Sequence, residues 1–109
     1  MLSYFVRYRG RADDADEFNA HYETVHAKIL SEFPNIQSLV LHRPALWTDP
    51  FPVNRGDSAL LAQMVFRSAQ DLDGALRSEP RRQARDDFQR FPLFQGTVTH
   101  EAMAGKVIF

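Results

Sequence analysis

The chain has 109 residues, 44% of them hydrophobic and 25% charged, with no cysteine and a formal net charge of −1. That length makes one domain, residues 1–109, with one core, and the composition is that of an ordinary globule. The charge gives no electrostatic case for nucleic acid or an anionic membrane surface, and the missing cysteines remove disulfide and thiolate chemistry.

The opening MLSYFVRYRG has too short an apolar run for a signal peptide and soon breaks into arginines. No later stretch approaches the ~20 apolar residues of a membrane span, so a cytoplasmic location is the expectation. Leu2 to Arg9 alternates, with Tyr4, Val6 and Tyr8 on one side and Phe5 and two arginines on the other. That is a first strand, which Gly10 is expected to end.

Asp14 to Pro34 reads as one amphipathic helix. Asp14 and Glu17 form a D-x-x-E start that supplies free backbone N–H groups with an acceptor. Phe18, Tyr22, Val25 and Ile29 recur at helical spacing and predict the buried stripe. Pro34 disfavours helical dihedrals at Phe33 and stops the helix. His21 and His26 both fall on it, and positions five apart lie roughly 140° from each other in an α-helix. They are therefore expected on opposite borders of the stripe. Tyr22 and His26, four apart, are neighbours and make a plausible acid/base pair, since imidazole titrates near neutrality. The plainer reading makes both histidines border residues with a wet tip.

Ile36 to Leu46 is a second strand with large aliphatics on both faces. Trp47 to Asp57, with two prolines and a glycine, is a long connection. Ser58 to Arg67 is a third strand, again apolar on both sides. Ser68 caps a second helix bearing Leu72, Ala75 and Leu76; Pro80 is expected to interrupt it before Arg81 to Arg90 adds a further turn or two. Thr97 to Met103 is a fourth strand, and Val107-Ile108-Phe109 closes the chain.

The order is β-α-β-β-α-β, a ferredoxin-like α+β fold with a four-stranded antiparallel sheet. Two helices cover one face of such a sheet. Because strands two and three are apolar on both faces, the sequence predicts that a second copy covers the other face in a homodimer.

Several side chains outside the helix are candidate ligand contacts. Tyr4 and Tyr8 share a face of strand one, and buried phenols need a partner for their hydroxyls. His42 falls at the end of strand two, near the long loop. Trp47 with Phe51, and Phe91 with Phe94, are aromatics placed to close over an apolar cavity, although ordinary packing under a loop explains them too. Together they favour a hydrophobic ligand. The four histidines include no H-x-x-x-H pair, and no phosphate-binding glycine loop or hydrolase elbow is present, so neither metal nor nucleotide cofactor is indicated. The arginines of 77–90 alternate with acids and read as a solvated, salt-laced helix.

The text E-F-x-x-H-Y-x-x-V-H-A followed by F-P-N-I resembles the EthD-like branch of the dimeric α/β-barrel superfamily. Phe66 and Ser68 closing strand three, Ser78-Glu79, Asp86 or Asp87 before Phe91, and Thr99-x-Glu101 extend the likeness along nearly the whole chain. Ala27-Lys28, Asn35 and the long 47–57 loop depart from the pattern. The resemblance implies a cofactor-free dimeric protein with a pocket between sheet and helices, acting as an isomerase, cyclase, dehydratase or monooxygenase on a small hydrophobic or aromatic carbonyl compound. It also implies His26 as the proton-transfer group, with Tyr22 beside it and His21 as a structural partner. The alternative it leaves open is a non-catalytic, ligand-binding or accessory dimer in an oxygenase or degradation pathway.

Overall fold

Four antiparallel strands frame the computed structural model, which describes the whole chain, Met1–Phe109. β1 (Leu2–Ala12) and β3 (Ser58–Phe66) lie in the middle, with β2 (Ser38–His42) and β4 (Phe94–Ala104) at the edges, in the order β2-β3-β1-β4. Between β1 and β2 runs one helical rod: α1 (Ala15–His21), a π-helical turn (Tyr22–His26) and α2 (Ala27–Leu30). α3 (Ala69–Leu76) and α4 (Glu79–Phe88) separate β3 from β4. This is the expected α+β ferredoxin-like fold, with every helix on one face of the sheet.

The period of two in β1 decides which face that is. Tyr4, Val6 and Tyr8 are buried, and they pair across the ladder with Met64, Ala62 and Leu60 of β3. Aligned inward sets of this kind fix the register, because a slip of one residue would turn both strands inside out. Helical caps pin the other layer. The Glu17 N–H donates to Asp14 Oδ1 at 3.1 Å, and the Asp71 N–H donates to Ser68 Oγ at 3.2 Å. Each satisfies a donor that the first turn of a helix leaves free.

Two punctuation marks act differently from expectation. Gly10 kinks β1 rather than ending it: it adopts φ 127° opposite Gly96 at φ 153°, and a Cβ on Gly10 would stand 2.1 Å from the Gln95 carbonyl oxygen. Only a residue without a Cβ permits that approach. Pro80 starts α4 rather than interrupting a helix, since at the first helical turn its missing N–H has no bond to lose. Asn35, at φ 63°, takes the left-handed turn after Pro34, a conformation asparagine tolerates better than most residues.

The uncovered face of the sheet is mixed. Phe5, Leu61, Val65, Val40 and Met103 form its apolar part, with Val40 and Met103 42% and 52% exposed. Arg7, Gln63, Thr99 and Glu101 share the same face. No helix is long and apolar enough to cross a membrane.

Candidate active site

The π turn organises the site. In it the Ala27 N–H reaches back to the Tyr22 carbonyl, an i→i+5 bond that adds one residue to the turn. The Thr24 hydroxyl donates to the Ala20 carbonyl at 2.7 Å, serving an acceptor in the disturbed ladder. One extra residue delays the helical phase by one position. The buried stripe therefore runs Phe18, Tyr22, His26, Leu30, Phe33, while Val25 is left 40% exposed and Ile29 half-buried. The expected Phe18–Tyr22–Val25–Ile29 stripe is correct only up to the π turn.

The same phase shift overturns the expectation that His21 and His26 stand on opposite borders. In a turn closed by i→i+5 bonds, residues five apart approach one another, and both imidazoles reach one carboxylate. His26 Nδ1 lies 2.9 Å from Asp87 Oδ2, and His21 Nε2 lies 3.1 Å from both Asp87 oxygens. Asp87 itself is 4% exposed, projecting from the end of α4 into the layer beneath the π turn. A buried carboxylate without partners is costly, and two ring N–H donors supply what it lacks. This residue was not singled out from the sequence as a site group. Its signals were the D-D-F-x-x-F run and the family likeness, and both were consistent with a solvated helix.

An ionised Asp87 requires a proton on His26 Nδ1, which leaves the Nε2 lone pair free. Nε2 has no partner within the chain. Burial lowers the proton affinity of His26 below the ordinary 6.5, outweighing the opposing pull of Asp87, and nearby His21 lowers it further. His26 is thus a neutral imidazole at pH 7 with an available base nitrogen.

His26 opens into a cavity between the helices and the sheet. It encloses about 420 Å³, counted out to its open mouth. Tyr4, Tyr8, Tyr22, Leu30 and Met64 contribute to its walls. Tyr22, ring centroid 4.9 Å from that of His26, is 1% exposed, and its hydroxyl makes no well-formed hydrogen bond, although the Tyr8 hydroxyl is near enough to act on it. An unsatisfied buried hydroxyl costs about 1–3 kcal/mol, and a ligand acceptor would recover it. Burial, followed by the neighbouring Tyr8, pushes the Tyr22 phenol well above 10, so it stays a neutral donor. Tyr8 is raised as well, again chiefly by burial.

The remaining candidates divide. Phe91 lies behind the cavity, its ring edge-on to His26 at 4.7 Å, and Phe94 packs edge-on to Tyr8 at 5.8 Å. They buttress the walls from behind. His42 is a correction: alternation puts it on the uncovered face with Val40, where Nε2 meets Gln63 Oε1 at 3.0 Å. Trp47 is another: it is 49% exposed on the long loop, beneath the Arg55 guanidinium at 4.2 Å, and does not reach the cavity. Phe51 is likewise exposed. His100, whose register the sequence left open, does enter, standing beside Tyr4 at a centroid distance of 6.0 Å. No group of three histidine or acidic side chains is placed to bind a metal ion.

A family model, the EthD domain, matches residues 12–92, which include the π turn and Asp87. The chain belongs to the EthD family. No curated protein matches it by sequence. Among solved structures this EthD domain is similar to an EthD family protein of Bacillus halodurans, with a TM-score of 0.75, 17% identity, and coverage of 97% of this chain and 100% of that one. A monooxygenase of Streptomyces coelicolor, in complex with nanaomycin D, gives 0.68 at 13% identity, covering 99% and 89%. SnoaB, a cofactor-independent oxygenase of Streptomyces nogalater, gives 0.66 at 13% identity, covering 97% and 93%. At these identities the shared property is the fold.

Proposed function

We propose that this EthD domain is a cofactor-independent enzyme that moves a proton on a small hydrophobic or aromatic carbonyl compound held between sheet and helices. One observation carries the reading: a buried His26, oriented through Nδ1 by Asp87, stands next to the Tyr22 phenol, which makes no well-formed hydrogen bond, in an apolar cavity. In this reaction His26 Nε2 takes the proton from the carbon beside the carbonyl. The C–H electrons move onto the carbonyl oxygen, and the Tyr22 hydroxyl donates to the developing enolate. Returning the proton to another carbon gives isomerisation, and expelling a β-hydroxyl gives dehydration. The same kind of deprotonation turns a phenol into the electron-rich form that reacts with dioxygen, as befits a cofactor-independent oxygenase such as SnoaB. Asp87 is a positioning residue here, and His21 holds its second side.

The reading includes a homodimer formed through the uncovered sheet face, supported by Phe5, Val40, Leu61, Val65 and Met103 lying together there. Light scattering at micromolar concentration should return twice the chain mass, and a monomer would remove this part. For the chemistry, His26→Ala should lower turnover of a hydrophobic ketone by about 10²–10⁴-fold while sparing its affinity. If the wild type binds such compounds and exchanges none of their α-protons with solvent deuterium, the domain is a carrier or accessory protein instead.

A further inference from the structure

Apart from His26 Nε2, every polar group lining the cavity can donate a hydrogen bond, and the two arginines can only donate. No Asp, Glu, Asn, Gln, Ser or Thr side chain is among the residues that wall it. What it presents, besides His26, is the phenols, His100 at the rim, and the guanidinium groups of Arg81 and Arg85. Arginine donates five hydrogen bonds and accepts none. Neither Arg81 nor Arg85 lies within salt-bridge distance of a carboxylate; Arg82 takes Glu79 at 2.7 Å, and Asp87 serves the two histidines. On this helix only Arg82, with Glu79, makes an ion pair of the expected salt-laced kind, and Arg81 and Arg85 make none.

Spacing makes the arrangement two-ended. Arg81, Ala84, Arg85 and Phe88 follow the i, i+3, i+4, i+7 rule and form the one face of α4 that walls the cavity. Asp87, with His26 upon it, lies near the C-terminal end of that helix, and Arg81 near its start, roughly 9 Å away along the axis. Arg85 lies between them.

We infer that the cavity takes a ligand with two acceptor ends: a carbonyl at His26 and Tyr22, and, about a ring's length away, a carboxylate gripped by Arg81 and Arg85. The substrate class is then a hydrophobic or aromatic keto acid, or its enol or phenol equivalent. This rests on the proton-transfer reading for the identity of the first end alone. Two guanidinium groups that make no ion pair, although Glu79 and Asp86 share an outer groove with them, attract an anion to the apolar mouth, and bidentate contact fixes its orientation. His100 adds a third donor at the same rim, beside Tyr4.

The test uses 4-acetylbenzoate, its methyl ester and 4-acetylphenyl phosphate, titrated into the full chain with histidine ring resonances as the readout. The acid should shift His26 and His100, leave His42 on the other face of the sheet unmoved, and bind about tenfold more tightly than the ester. R81Q/R85Q should reduce the acid to the affinity of the ester and leave the ester within about twofold, since both arginines reach solvent and the apolar walls are untouched. R81K/R85K should restore part of the preference, because charge returns without the planar fork. Equal affinity for acid and ester in the wild type, or an unchanged acid affinity in R81Q/R85Q, overturns the proposal. So does the absence of His26 and His100 shifts at millimolar acid. A clear preference for the phosphate overturns the carboxylate assignment. His26→Ala separates the two readings: it removes turnover, if there is any, and leaves the ratio of acid to ester binding intact.

Discussion

The two faces of the sheet are built from adjacent residues of the same strands, yet only one lies under the helices and walls their cavity. Met64 and Val65 are chain neighbours in β3. Met64 is buried against the cavity, and Val65 is half-exposed on the bare side. The histidines divide in the same way: His100 enters the cavity, while His42 meets Gln63 on the uncovered face. What separates the faces is the helical layer. It removes water, brings Asp87 against two imidazoles, and leaves the Tyr22 hydroxyl without a well-formed hydrogen bond. A histidine on a strand becomes chemically interesting through what covers it.

The sharpest way to break that comparison is truncation on each face. Phe66 is fully buried beneath the helices, and Phe66→Ala should cost about 3–5 kcal/mol in denaturant unfolding, through lost transfer energy and an unfilled cavity. Val65→Ala, one residue along, should cost about 1 kcal/mol or less in dilute protein. If Val65→Ala costs as much as Phe66→Ala and the cost grows with protein concentration, the uncovered face is covered in solution by a second copy.

A step smaller in stability, and larger in rate, is Asp87→Asn. The shape is kept and the charge is lost, so a single amide oxygen replaces the two carboxylate oxygens that His21 and His26 share. The amide can also donate to His26 Nδ1, which would move the proton to Nε2 and block the base. Unfolding free energy should fall by about 1–3 kcal/mol, and turnover by about 10²–10⁴-fold. Full activity in Asp87→Asn would show that His26 needs no orienting carboxylate.

How much of this the sequence disclosed depends on the kind of order. Strand alternation gave β1 and β3 their correct faces, because a period of two survives small irregularities such as the Gly10 kink. Both helix caps, Asp14 and Ser68, were legible from side-chain chemistry alone. The helix phase was not. It assumed 3.6 residues per turn throughout, and the π turn at Tyr22–His26 inserts one residue that no propensity marks. That single residue moves Val25 out, moves His26 in, and converts two border histidines into partners of one carboxylate. Asp87 escaped for a related reason: in sequence it sits among arginines and acids of a solvated helix, and only the packing of α4 under the π turn buries it. His42 is a candidate ligand contact in the sequence because it ends strand two near the long loop, and alternation then puts it on the face away from the cavity.

The smallest predicted effect concerns acid. His26 binds its proton more weakly in the fold than free histidine does, first because burial disfavours the cation, with Asp87 opposing and His21 assisting. His100 is lowered too, by burial and then by Arg81 and Arg85. A group of this kind takes up its proton more readily in the unfolded chain. Its contribution to stability is therefore complete above 6.5 and is lost as pH falls from there through the depressed folded value. Thermal midpoints should be flat around neutrality and decline below 6.5, and His26→Gln should flatten part of that decline. Turnover should follow the same group, with an acid limb of kcat/KM whose apparent pKa lies under 6.5, since the protonated ring has no lone pair to accept a proton. An acid limb above 6.5 would mean that the pull of Asp87 exceeds the cost of burial. The covered face would then hold a standing imidazolium–carboxylate pair in place of a neutral base, and proton abstraction at neutral pH would need another residue.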